Sequence, residues 1–152
     1  MLILIYGILA YIIFLIAFVY SIGFVNNLWV SKGIDIGVEI NLMTALLINV
    51  GLLSLFALQH SVIARPAFKK WWVQIIGKPA ERSTYILLTS LALLLLFWKW
   101  QPMPNIVCTI ENNSMVISVQ VIYFIGWTIV LLSTFMISHF ELFGLTQILD
   151  NL

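Results

Sequence analysis

The sequence predicts an all-α integral membrane protein with four transmembrane helices and a short amphipathic interfacial helix in the second loop. Of its 152 residues, 62% are hydrophobic and only 9% are charged, whereas an average soluble domain carries about 25% charged residues. Four long segments lack charged side chains, and most basic residues fall in one short loop. A soluble fold of this size cannot bury so much apolar surface, so lipid is the expected solvent.

The four uncharged segments approach the thickness of a membrane, since a span needs about 20 residues at about 1.5 Å each. The first and fourth reach this length unaided, and the second and third reach it with polar flanking residues. The expected helices cover residues 2–25, 41–60, 81–100 and 115–139, within one transmembrane domain over 1–152. The first is expected to be retained, because no Lys or Arg precedes it and its apolar run exceeds the roughly 7–15 residues of a signal peptide.

The basic residues predict the orientation of these helices. Five of the seven Lys and Arg residues lie in the second loop: Arg65, Lys69, Lys70, Lys78 and Arg82. Cytoplasmic loops carry an excess of Lys and Arg, so this loop is expected on the cytoplasmic side. With four crossings, both termini then face the cytoplasm. Lipid is the main expected partner, and no nucleic-acid partner is expected.

The second loop also predicts a short helix in the membrane interface, for which Pro66 suits the first position. Its two faces differ, with Phe68, Trp71, Trp72, Ile75 and Ile76 on one side and Lys69, Lys70 and Gln74 on the other. This pattern places rings at the acyl boundary and ammonium groups near lipid phosphates. The helix is either a generic membrane anchor or the floor or lid of a site.

The outer loops and the interiors of the spans give weaker signals. Alternation over residues 34–40 and a β-prone run over 106–110 allow a small extracytoplasmic strand pair. The single cysteine, Cys108, excludes a disulfide framework within one chain and is interpreted as a small apolar residue. Asn49 is interpreted as an interhelical hydrogen-bond partner. The aromatic residues of the first helix are interpreted as packing or lipid contacts: Tyr6, Tyr11, Phe14 and Phe18.

Polar side chains converge at the cytoplasmic end of the predicted bundle. The second helix ends at His60, the third begins with Glu81 and Arg82, and the fourth ends at His139. Polar groups near hydrocarbon are costly to keep, so this cluster favours a functional site. The structural alternatives are histidines that interact with helix dipoles and arginines that contact phosphates. Two histidines at one depth are also compatible with a bracketed haem or a bound metal ion, although none of the candidate residues is assigned as a metal ligand.

At these same residues the sequence resembles the methanethiol S-methyltransferase family. The first block runs over residues 56–72 and includes Gln59-His60-Ser61. The second is Glu81-Arg82-Ser83-Thr84-Tyr85, which leads into a Leu-rich helix and Phe97-Trp98-Lys99-Trp100-Gln101-Pro102. The third covers residues 131–135 and then His139-Phe140-Glu141-Leu142-Phe143-Gly144-Leu145. The blocks lie in order and together cover roughly residues 45–147.

The resemblance implies a membrane enzyme that moves a methyl group from S-adenosyl-L-methionine to methanethiol and releases dimethyl sulfide. The wider relatives are isoprenylcysteine carboxyl methyltransferase-like and NnrU-type proteins, and the expected location is the inner membrane of a bacterium. Members of the family continue with a further helical half, which carries an Arg-His-Pro signature and acidic residues that help bind the donor. This sequence stops at Asp150-Asn151-Leu152. It is therefore expected to be a fragment, a shortened product or one half of a split enzyme with a partner chain, and its donor pocket is expected to be incomplete.

The predicted topology supplies candidate roles, which the resemblance does not. A base is useful, because the thiolate is the nucleophile. The catalytic candidates are His60, Glu81 and His139, and Arg65 and Arg82 are candidates to bind the donor's carboxylate. The alternative function is a non-catalytic truncated or NnrU-like membrane partner protein.

Overall fold

The computed structural model describes residues 2–103 and 108–149, with only the backbone of Leu142. Within these residues all regular structure is helical. The helices are α1 (Leu2–Val25), α2 (Leu42–Ile63), α3 (Pro66–Ile76), α4 (Glu81–Lys99), α5 (Asn113–Met136), α6 (His139–Leu142) and α7 (Leu145–Leu149), with a 3-10 turn at Lys78–Ala80 before α4. Helices α1, α2, α5 and the span Lys78–Lys99 are long and apolar enough to cross a membrane. The predicted all-α membrane fold and its short amphipathic α3 are therefore confirmed.

The ends of two spans and one loop expectation differ from the structure. The second span continues to Ile63, beyond the expected residue 60. The fourth span ends at Met136 and not at residue 139, because Ser138 adopts a left-handed conformation with φ 68° and begins the separate helix α6. Such a conformation is uncommon for a side chain other than Gly and breaks an α-helix. The strand pair is wrong where it can be compared, since residues 34–40 and 108–110 form no strand. Residues 106–107 lie outside the described residues.

Helix α4 packs between α1 and α2 at the centre of the described bundle. At the end opposite the basic loop, its contact with α1 is a buried cluster of Phe24, Leu96, Phe97 and Trp100. The rings of Phe24 and Phe97 lie 4.7 Å apart, and Trp100 donates from its indole nitrogen to the carbonyl of Ile34 at 2.9 Å. The cluster therefore joins both helices to the first loop.

At the other end, α7 packs against the beginning of α1. Ile148 is 1% exposed and lies directly against Gly7, where a Cβ atom would overlap its side chain. Ser83 is fully buried beside them, and its hydroxyl has no hydrogen-bond partner among the described residues. The close approach of α1, α4 and α7 therefore depends on small side chains.

Helix α5 has no buried residue along its described length and is held to α1 by polar contacts. Asn26 and Gln120 exchange amide hydrogen bonds of 2.7 and 3.3 Å. One turn further along, the Tyr123 hydroxyl donates to the carbonyl of Ile22. These contacts set the position of α5 along α1, and so the position of the short helix α6 that follows it.

Asn49 fastens α2 to the chain just beyond α4. Its side chain is 2% exposed, donates to the Gln101 carbonyl at 2.7 Å and accepts from the Gln101 amide at 2.9 Å. Asn49 is therefore a hydrogen-bond partner as expected, but its bonds go to the chain that follows α4 and not to another helix.

Asn49→Leu is expected to lower the free energy of unfolding by about 2 kcal/mol, because two backbone groups in an apolar setting lose their partners. Thermal unfolding in detergent micelles measures the effect. Ser54→Leu is the matched control, since Ser54 lies exposed on the same helix and its loss should change the stability by less than about 0.5 kcal/mol. Equal stability of the two variants would contradict the role given to Asn49.

Candidate functional site

A polar cavity lies at the end of the bundle that carries the basic loop. Its volume is about 320 Å³. The lining comes from the end of α2, from α3, from the first turns of α4, from the α5–α6 connection and from α6: Ala64, Lys69, Glu81, Arg82, Tyr85, Ile137 and Glu141. Stretches far apart in the sequence therefore meet at one site, and they include the predicted residues Glu81 and Arg82.

Two ion pairs frame this cavity. Lys69 on α3 lies 3.1 Å from the Glu81 carboxylate, and Arg82 lies 3.3 Å from the carboxylate of Glu141 on α6. Arg82 also donates to the Glu141 backbone carbonyl at 2.7 Å. Partly exposed pairs contribute only about 0–1 kcal/mol each to stability. Their main effect is positional, because they hold α3 and α6 against the start of α4.

Helix α3 has one face toward the cavity and one away from it. Lys69 lines the cavity, whereas Trp71 and Ile75 are 54% and 60% exposed. The rings of Phe68, Trp71 and Trp72 contact one another with centroids 5.4–5.8 Å apart. An exposed aromatic face suits a helix at the membrane interface. The helix was interpreted either as a generic membrane anchor or as the floor or lid of a site. The position of Lys69 in the cavity lining supports the second interpretation.

Tyr85 separates His60 from the cavity. The Tyr85 hydroxyl lies 2.9 Å from His60 Nδ1 and 3.3 Å from Nε2. Tyr85 belongs to the cavity lining and His60 does not. The His60 ring is stacked on Phe56 with centroids 5.7 Å apart. The structure therefore places the predicted base one residue behind the cavity.

His139 occupies a different, buried cluster and is 4% exposed. Its Nδ1 lies 2.8 Å from the Thr134 hydroxyl, and its Nε2 lies 2.7 Å from the Tyr11 hydroxyl. Thr134 already donates its proton to the carbonyl of Leu131 at 2.7 Å, so it accepts from Nδ1–H. Nε2 is then the acceptor for the Tyr11 O–H, and His139 is the neutral Nδ1–H tautomer.

This geometry changes two interpretations. Tyr11, expected only to pack or contact lipid, joins α1 to α6 through His139. His139 also stacks on Phe135, with centroids 4.2 Å apart, and it borders a neighbouring cavity of about 400 Å³. Both of its nitrogens are engaged, and His60 is bonded to Tyr85 in another cluster. The donor set does not fit a haem bracketed by the two histidines, and the described residues include no group of three potential metal ligands.

The stability of the protein is expected to fall as the pH drops through about 6.5, the ordinary pKa of histidine. Burial lowers the pKa of His139, so below this pH the unfolded chain binds a proton that the folded protein resists. Glu141, which lines the same cavity as His139, and its partner Arg82 are unchanged in the two proteins compared. Unfolding midpoints between pH 7.5 and 5.0 should show this slope in the wild type and a smaller one in His139→Gln. An equal slope in both would contradict it.

Arg65 lies apart from the cavity. Its side chain is exposed, and its backbone carbonyl accepts from the Lys69 amide at 3.0 Å in the first turn of α3. Among the described residues its guanidinium makes no hydrogen bond or ion pair. The structure thus brings Glu81 and Arg82 together, places His60 behind Tyr85, and leaves Arg65 and His139 outside the lining. The predicted roles of all five residues stay predictions.

Sequence reasoning missed Tyr85, Lys69 and Glu141 as cavity residues. For Tyr85 a signal was present, because residues 81 and 85 are four apart and share one face of a helix. For Glu141 the signal was weaker, since its contact with Arg82 depends on the turn at Ser138 that begins α6.

Fold and site define a multi-pass helical membrane protein with an ion-paired polar cavity at one end of its spans. Comparison with known proteins gives a closer assignment. The chain is 49% identical over 147 residues to methanethiol S-methyltransferase 1 of Bradyrhizobium diazoefficiens. This match covers 97% of this chain and 52% of the relative. It is 49% identical over 146 residues to methanethiol S-methyltransferase of Crocosphaera subtropica (96% and 57%). The Mycobacterium tuberculosis protein of that name is 45% identical over 144 residues (95% and 59%).

The chain is therefore a homologue of the methanethiol S-methyltransferases, and the resemblance stated from the sequence is confirmed. It spans about half the length of the curated relatives it matches. Nurim of Xenopus laevis is more distant, at 33% identity over 107 residues, 66% of this chain and 37% of that protein. No protein-family model and no solved structure matches the sequence. The relatives give no support to a separate partner chain.

Proposed function

We propose that this chain provides the thiol-binding end of a membrane-embedded, S-adenosyl-L-methionine-dependent methyltransferase that converts methanethiol to dimethyl sulfide. The observation that carries the proposal is the polar cavity framed by the Lys69–Glu81 and Arg82–Glu141 pairs at the end of four apolar spans. The names of the homologues support the reaction. The cavity lies in the part of the relatives that this chain matches, which supports placing the reaction site there.

The reaction suits a site at the edge of a bilayer. Methyl transfer from a sulfonium to a thiol is an in-line displacement that requires a thiolate, an oriented donor and little water. A small apolar thiol dissolves in lipid and reaches the cavity from the membrane. Glu81 has only 15% of its side chain exposed, so the inner part of the cavity is already shielded from solvent.

The cavity residues fit the amino-acid end of S-adenosyl-L-methionine. That end carries one carboxylate and one ammonium group, and the lining offers both signs of charge, from Lys69 and Arg82 and from Glu81 and Glu141. Arg82 would bind the carboxylate through its planar guanidinium, and Glu81 or Glu141 would bind the ammonium. When bound, the donor supplies an electrophilic methyl group. The residues of this chain bind and orient both reactants and limit access of water.

The location follows from the same proposal. The basic loop and both termini lie on the cytoplasmic side of a bacterial inner membrane, which gives the cavity access to a cytoplasmic donor. The loop between α4 and α5 then faces outward and carries Cys108, which is exposed and not packed as an apolar residue.

Cys108 is expected to react with a membrane-impermeant maleimide in intact spheroplasts, because it is the single cysteine of the chain and lies in the outward loop. The control is a Cys108→Ser, Gln74→Cys double variant, whose thiol on exposed Gln74 of α3 should react only after the cells are opened. Mass spectrometry measures the labelled fraction. The reverse pattern would contradict the orientation.

Activity is tested with membranes that contain the chain, and with membranes in which it is joined to the unmatched part of the Bradyrhizobium relative. Labelled S-adenosyl-L-methionine and methanethiol are added, and labelled dimethyl sulfide is measured in the headspace. At least the joined form is expected to produce labelled dimethyl sulfide that depends on added thiol. The amount should exceed that formed by membranes without the protein. Absence of label in both forms, with the protein folded and inserted, would overturn it and favour the non-catalytic alternative.

A further inference from the structure

We propose that Tyr85 is the catalytic group that accepts the proton of the thiol, and that His60 acts through it. This inference rests on the proposed methyl transfer and specifies how the nucleophile is formed. It follows from the order of three features: the cavity, the Tyr85 side chain that lines it, and the His60 ring on the far side of the Tyr85 hydroxyl.

The contacts of Tyr85 suit a proton relay. A phenol has one proton to donate and two lone pairs with which to accept. Both nitrogens of His60 lie within 3.3 Å of the hydroxyl, so either neutral tautomer offers an acceptor for the phenolic proton. Thr89 also hydrogen-bonds the Tyr85 hydroxyl. Donation to His60 still leaves one of the two lone pairs of the Tyr85 oxygen for the S–H of a thiol in the cavity.

The other ionisable groups around Tyr85 are already engaged. Lys69 from α3 pairs with Glu81 at 3.1 Å, and Arg82 pairs with Glu141 of α6 at 3.3 Å. Two cations and two carboxylates leave no net charge, and each carboxylate is already bound to a cation. Among the titratable residues of the described lining, Tyr85 is the one outside an ion pair. It is therefore better placed than Glu81 to take a proton.

The step conserves atoms and charge. The S–H bond of the thiol breaks and its proton bonds to the Tyr85 oxygen, while the Tyr85 O–H bond breaks and that proton bonds to the free ring nitrogen of His60. The sulfur keeps the electron pair of its broken bond and becomes the thiolate, which then attacks a sulfonium methyl donor. Tyr85 ends the step as a neutral phenol, and His60 carries the positive charge.

Tyr85→Phe keeps the ring and removes the relay. General-base assistance contributes about 10²–10⁴-fold, so methyl transfer to methanethiol at pH 7 is expected to fall by about 100-fold. The residual reaction needs thiolate already present in solution. Its rate should therefore rise by about tenfold per pH unit between pH 6.5 and 8.5, more steeply than that of the wild type.

Tyr6→Phe is the matched control. The Tyr6 hydroxyl on α1 donates to Thr84 at 2.8 Å, and Thr84 precedes Tyr85 on α4. Tyr6 lies outside the cavity lining. This variant loses a tyrosine contact with α4 and should keep the wild-type pH profile. His60→Gln should show the steep profile of Tyr85→Phe, and adding it to Tyr85→Phe should lower the rate little further.

A second substrate separates proton transfer from damage to the fold. Methaneselenol has nearly the shape of methanethiol but is more acidic, so more of it is ionised at neutral pH. The loss caused by Tyr85→Phe should be several-fold smaller with the selenol than with the thiol. Equal losses with both substrates, together with an unchanged pH profile, would overturn the relay while wild-type activity stands. Absence of wild-type transfer would instead overturn the proposed function and the relay with it.

Discussion

Replacing Arg82 by leucine is expected to lower the rate of methyl transfer by about 10- to 100-fold, which corresponds to the loss of one charged hydrogen-bond partner of the bound reactants. Arg82 lines the cavity and binds both the carbonyl and the carboxylate of Glu141. Its loss removes the guanidinium and also releases α6 from the start of α4. Arg82→Lys should recover part of the rate, because it keeps the charge and loses the planar fork.

Arg65→Leu is the matched control. Sequence reasoning gave Arg65 and Arg82 the same role, whereas the structure leaves the Arg65 side chain exposed and outside the lining. We expect Arg65→Leu to retain at least about half of the wild-type rate, as an exposed charge contributes little. Initial rates of dimethyl sulfide formation, normalised to folded protein, measure both variants. Equal losses would contradict the assignment of the cavity as the reaction site.

Gly144→Ala is expected to lower the free energy of unfolding by about 2–4 kcal/mol. Gly144 follows α6 with φ 83°, a conformation that L side chains rarely adopt. A Cβ atom there would lie 2.8 Å from the Ser83 hydroxyl oxygen and 2.9 Å from the Ser83 backbone nitrogen. The added methyl group therefore pushes α6 and α7 away from α4.

Gly51→Ala and Gly126→Ala are the controls, because each glycine lies within a helix and a Cβ atom there would meet nothing within 4 Å. They should leave the stability unchanged or raise it by up to about 1 kcal/mol. Thermal unfolding in detergent micelles distinguishes the three variants. A Gly144→Ala protein as stable as the controls would contradict the close packing of Gly144 on Ser83.

The spans and the end at which polar residues collect could be predicted, because both depend on local composition. Charge-free segments of sufficient length cross a membrane whatever their packing, and Glu81 and Arg82 begin a helix at the edge of one such segment. The family resemblance added the reaction, which no periodicity indicates.

The arrangement within the site could not be predicted, because it depends on tertiary contacts. Nothing local shows that Lys69 reaches Glu81 or that Tyr85 lies in front of His60. His139 was expected to lie with His60 and Glu81, because all three share one depth in the membrane. The left-handed turn at Ser138 instead carries its ring to Tyr11 and Thr134 in a buried cluster. Depth in the membrane thus predicted proximity but not the side of the helix on which a residue lies.

Photochemical cross-linking of labelled S-adenosyl-L-methionine to the protein in membranes tests most directly whether the cavity is the reaction site. The chain, joined to the unmatched part of the Bradyrhizobium relative, is irradiated with the donor and digested. We expect saturable label, displaced by S-adenosylhomocysteine, on the peptides that carry Lys69, residues 81–85 or Glu141. Saturable label confined to peptides outside these segments would contradict it.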